Sequence, residues 1–80
     1  MTKEFKVSGK VLSLSSECVI SRLNGVTPGQ IKTHAVEING TKYPVKEALA
    51  QVTDLDILDF NTNQARNIFI RLGFKVIRLG

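Results

Sequence analysis

Between Asn61 and Gly73 the chain carries a complete helix specification, and no other stretch limits the possible folds as much. Asn61 stands three residues before Gln64, the spacing at which a cap side chain and a first-turn amide satisfy each other's backbone donors. Ala65, Ile68, Phe69 and Leu72 fall within about one third of the circle at ~100° per residue. Asn63, Asn67 and Arg71 line up on the opposite side with Gln64 beside them, while Arg66 and Ile70 form a shoulder. The spacing predicts a helix starting at Asn61 or Thr62 and stopped by Gly73, followed by a strand over Phe74 to Leu79.

The rest of the chain supplies the partners for this helix. Phe5 to Leu14 alternates, with Phe5, Val7 and Val11 on one side and Lys6, Ser8 and Lys10 on the other. That predicts one half-buried strand, with Gly9 as a bulge or a close backbone contact. Ser13, Ser15 and Ser16 offer caps for a helix over residues 17–24 that buries Val19, Ile20 and Leu23 and ends at Gly25. Thr27-Pro28-Gly29 reads as a turn. A strand over Ile31 to Ile38 leads into Asn39-Gly40, the strongest short hairpin signal, because a type I′ turn needs positive φ at both corners. His34, Val36 and Ile38 share one face of this strand, leaving Lys32 and Glu37 exposed. Pro44 then opens a helix to Thr53 through Val45, Ala48, Leu49 and Val52. Tyr43 is expected to bury its ring while its hydroxyl finds a partner, and Phe74 to anchor the last strand. The order β-α-β-β-α-α-β predicts an α+β fold, an antiparallel or mixed sheet with helices packed on one face. The final strand is expected to pair with the first strand or with the hairpin.

Eighty residues make one domain, 1–80, whose modest core must be built from large aliphatics. A hydrophobic content of 42% with 22% charged residues argues against disorder. No apolar run approaches the ~20 residues of a membrane span, and the opening Met-Thr-Lys-Glu-Phe-Lys does not read as a secretion signal. The single cysteine, Cys18, excludes an internal disulfide and a cysteine-rich zinc site. A cytoplasmic location is expected.

Catalysis finds little support. Cys18 and His34 would need contact and a third orienting group to act as a nucleophilic pair, and their surroundings read as core and strand. Asp54, Asp56 and Asp59 lack the order of a calcium loop and read as solvated or helix-capping acids. Gly25 and Gly29 lack the Lys-Ser/Thr ending of a phosphate loop. The expectation is a non-enzymatic domain with no metal and no cofactor.

Charge is more telling. Residues 61–80 carry Arg66, Arg71, Lys75 and Arg78 with no acid, whereas residues 26–60 are net acidic. A polar helix face made of amides and guanidinium groups suits a polyanion. The two helices after the hairpin resemble a helix-turn-helix, although residues 54–61 make a longer link than its usual 3–4-residue turn. In such a pair Thr62, Asn63, Gln64, Arg66 and Asn67 would meet base edges. Arg71, Lys42 and Lys46 would add phosphate contacts. The expected partner is nucleic acid, DNA before RNA, and no membrane. Two rivals stand beside it: a plain solvated helix face, and a protein-interaction or homodimerisation module using a free hairpin edge and Ile70.

Three motifs extend this reading. Ile38-Asn39-Gly40-x-x-Tyr43-Pro44-Val45-Lys46, then Phe60-x-Thr62-x-x-Ala65-Arg66, then Arg71-Leu72-Gly73-Phe74 resembles a group of small uncharacterised bacterial and archaeal proteins. It is also similar to the N-terminal head modules of modified-DNA-dependent HNH restriction endonucleases. The similarity covers residues 31–76 and includes no nuclease signature. It implies a DNA-associated accessory module, with Lys46 and Arg66 as the motif positions to test.

Overall fold

The computed structural model describes residues 2–31 and 33–78. The strands are β1 (Lys3–Val7), β2 (Lys10–Leu14), β3 (His34–Ile38), β4 (Thr41–Pro44) and β5 (Lys75–Arg78). The helices are α1 (Ser16–Leu23), α2 (Val45–Thr53) and α3 (Thr62–Arg71), with a 3-10 turn at Ile57–Asp59. The α+β class holds, and so does the element order once the first strand is taken as a hairpin. All strand pairing is antiparallel, in a two-stranded sheet β1-β2 and a three-stranded sheet β4-β3-β5. Thus β5 joins the hairpin strand β3. The expected exposure of Lys32 and the end of the last strand at Leu79 lie outside the described residues.

One correction concerns the start of the chain. Phe5 to Leu14 is not one bulged strand but a hairpin turning at Ser8-Gly9, with φ of 51° and 79°. Both corners are left-handed, as a type I′ turn demands, and Asn39-Gly40 repeats the geometry at 52° and 84°. The reversal changes which residues share a face. Phe5 and Val7 are buried with Leu14, while Val11 sits opposite Lys6 on the outside and is 64% exposed. Serine tolerates positive φ poorly, and asparagine does so better. Ser8→Asn should therefore raise stability by roughly 0.5 kcal/mol, or about 2–4 °C in thermal midpoint for a domain this size. A lowered midpoint would contradict the assigned turn.

α1 begins where Ser15 Oγ accepts the Cys18 N–H at 3.1 Å. The Glu17 carboxyl in its first turn titrates below the usual range, mainly because its own backbone N–H donates to it, with Ser15 and Ser16 helping. Val19 and Leu23 are buried as expected, but Ile20 is exposed and Cys18 only half-buried. α2 buries Val45, Ala48, Leu49 and Val52, and Asp54 closes it in the left-handed conformation. α3 has both hydrogen bonds of the capping box and buries Ala65, Ile68 and Phe69.

A single core cluster runs from Phe5, Val7 and Leu14 through Val19 and Leu23 to Val36, Leu49 and Phe69. It joins both sheets and all three helices. Tyr43 is buried and donates to the Leu23 carbonyl at 3.2 Å, tying β4 to α1. Phe74 meets Phe69 edge-to-face at 6.1 Å, fixing the corner between α3 and β5.

Candidate nucleic-acid interface

The link between α2 and α3 departs from the short turn of a helix-turn-helix, which the structure does not support. The link between them contains the 3-10 turn, capped by Asp56 Oδ1 accepting the Leu58 N–H at 2.9 Å. Ile57 of that turn and Thr62 at the start of α3 line one cavity with Val45 and Lys46 at the start of α2. The link therefore runs back along α2, and α3 starts beside the place where α2 starts. A 3–4-residue turn cannot do this, since it joins the end of one helix to the beginning of the next.

The predicted residues separate into groups. Gln64, Asn67 and Arg71 are exposed on the flank of α3 that faces β1, where they line an open groove with Phe5 and Lys6. Arg71 is held there twice. Its guanidinium lies over the Phe5 ring, 4.9 Å from the centroid, and its carbonyl accepts from Lys3 Nζ at 2.6 Å. A lysine on the last carbonyls of a helix also suits the helix dipole. Lys3 and Arg71 thus meet at the groove on the Phe5 face of β1, while Glu4 and Lys6, which alternate with Phe5, border it from the strand's outer face.

Arg66 lies elsewhere. Five residues from Arg71, it is rotated from it by about 140° on the helix. It is half-buried, with Nη1 donating to Asn63 Oδ1 at 3.3 Å and Nε enclosed without a partner. Asn63 is exposed next to it, while Thr62 is half-buried and lines the cavity at the start of α2 together with Lys46. Lys42 is on the other face of the hairpin sheet. Its strand neighbour in register is Glu37, which also stands opposite Lys75 on β5. In this cation-acid-cation row Glu37 offsets part of the positive charge. Arg71 therefore has Lys3 beside it and Lys6 at the groove's border, and it does not share a single platform with Arg66, Lys42 and Lys46.

Lys3 and Lys6 were absent from the predicted set. Their one sequence signal was the alternation of β1, which cannot show that the strand would lie beside a helix 68 positions away. Cys18 and His34 line different cavities. Among the described residues no three or more His, Cys, Asp and Glu side chains group to hold a metal ion, and no helix is long and apolar enough to cross a membrane.

Fold and groove define a small α+β domain with a basic flank where its first hairpin meets its last helix. The chain belongs to the SCO5918-like family, which it matches over residues 10–79. Neither the curated proteins nor the solved structures give a match. The family match carries no link to the head modules of HNH endonucleases, and it begins at β2, so Lys3 and Lys6 precede it.

Proposed function

We propose that this domain is a non-enzymatic nucleic-acid-binding module that grips the phosphate backbone in the β1–α3 groove. The observation that supports the reading is the meeting of Lys3 and Arg71 beside the amides of Gln64 and Asn67, with Lys6 bordering the same groove from β1. Cations supply the sequence-independent part of nucleic-acid affinity, and amides add hydrogen bonds to phosphate, sugar or adenine edges. Asn63 extends the polar row toward the start of α3. DNA is the form implied by the resemblance of the Tyr43-Pro44-x-Lys46 and Arg71-Leu72-Gly73-Phe74 motifs to the endonuclease head modules.

The test is a titration of labelled duplex at several salt concentrations. Three phosphate contacts give a slope of log K against log salt of about −2.7, so affinity falls roughly fortyfold between 50 and 200 mM. Absence of binding at low salt, or binding indifferent to salt, would remove the proposal. Mass measured over the same concentration range addresses self-association, which the exposed Ile70 favours. A mass that doubles with concentration, without duplex binding, would put the dimer reading in its place.

A further inference from the structure

We infer that the β1–α3 groove takes one unpaired base of single-stranded DNA, stacked on the open face of the Arg71 guanidinium, an assignment that rests on the groove reading proposed above. The guanidinium lies over the Phe5 ring, 4.9 Å from its centroid. Phe5 is 5% exposed, so its ring is spent on the arginine and offers almost no surface of its own to a ligand. Arg71 is exposed, which leaves the guanidinium face turned away from Phe5 open to solvent. A planar cation held flat in this way is a platform for a base, because guanidinium planes stack on π systems. A lysine cannot provide that platform, since its charge is a point on a flexible stem.

The groove wall suits a base edge. Asn67 and Gln64 stand one and two turns before Arg71 on the same flank of α3, and all three line the groove. Asn67 is exposed and carries a donor and an acceptor side by side, the pair that matches the N6 and N7 edge of adenine. Gln64 Oε1 accepts the Asn61 N–H at 2.9 Å, so its amide N–H groups are what remain for a ligand. The groove holds about 200 Å³, below the range of drug-sized ligand sites, which is room for one base and not for a base pair. A duplex keeps its bases stacked and would bring only phosphates to this opening. A single strand can splay a base into it at a lower unstacking cost. The flanking phosphates then meet Lys3, held at the Arg71 carbonyl, and Lys6 at the border. Glu4 alternates with Phe5 and borders the groove from the outer face of β1, away from the stacking surface.

The test compares three labelled ligands on the full chain at one salt concentration: a single strand of mixed sequence, the same strand in duplex, and the same strand carrying abasic sites. The intact single strand should bind about tenfold more tightly than the duplex, the size of effect that one stacked base supplies. The abasic strand should lose that advantage. Arg71→Lys keeps the charge and should erase the preference for the intact over the abasic strand, while duplex affinity changes by less than about twofold. Asn67→Ala should narrow the same preference severalfold on adenine-rich strands. Equal affinity for strand and duplex, or an abasic strand that binds as tightly as the intact one, would overturn the inference and leave the grip on phosphates standing. Full preference in both Arg71→Lys and Asn67→Ala would place the base elsewhere and overturn it too. If neither strand nor duplex binds, the groove reading falls together with it.

Discussion

Phe69→Ala is expected to bring the domain to the edge of unfolding. Phe69 is 0% exposed, the largest of the fully enclosed side chains, and it sits where α3 meets both the core and β5. Truncating a buried phenylalanine costs about 3–5 kcal/mol, counting lost transfer energy and the cavity left behind. Loss of the edge-to-face contact with Phe74 adds about 0.5–1.5 kcal/mol. A chain of this length has a total stability of about 4–12 kcal/mol, so one truncation removes a third or more of it. With a urea m-value of about 1–3 kcal/mol/M, the midpoint should fall by at least ~1 M. Phe69→Leu should cost much less, since most of the volume stays. A midpoint shift under ~0.5 M for Phe69→Ala would mean that α3 is not the keystone of the core.

The same residue shows what local sequence can convey. Phe69 was identifiable as core because its burial follows from the helix period and from the caps at Asn61 and Gly73, all set within thirteen consecutive residues. Asn39-Gly40 was legible for a similar reason: the turn's demand for positive φ is written in the two residues that meet it. Ser8-Gly9 makes the same turn, yet serine is a weak signal for a left-handed corner, and the alternation through it imitates a single strand. Contacts across the chain were the illegible part. Nothing near Lys42 announces that Glu37 will flank it, because register is fixed by the turn and the sheet together. Nothing near residues 54–61 announces that the link doubles back and sets α2 and α3 side by side from the same end. Of the predicted α3 residues, Asn63, Gln64, Asn67 and Arg71 are exposed while Thr62 and Arg66 are half-buried. The β1 lysines beside this helix were not legible because packing, not local sequence, brings them there.

The triple variant Lys3→Gln, Lys6→Gln, Arg71→Gln is expected to abolish duplex binding at 50 mM salt. By counterion release alone, removing three phosphate contacts costs on the order of a thousandfold at that ionic strength, and the salt slope should flatten by about 2.7. Structural damage would not account for such a loss. The Arg71–Phe5 contact contributes about 0.5–1 kcal/mol at an exposed site, and the Lys3 hydrogen bond at the end of α3 about 0.3–1 kcal/mol. Together these are a minor share of the ~4–12 kcal/mol that holds a domain of this length. Far-UV circular dichroism should therefore remain that of the parent. Arg71→Lys keeps the charge and should keep the slope, losing affinity only through the guanidinium's planar contact. Lys42→Gln, by contrast, removes a cation outside the groove and partly offset by Glu37, and should change the slope little. If Lys42→Gln weakens binding as much as the triple variant does, the ligand lies on the outer face of the three-stranded sheet and not in the groove between β1 and α3.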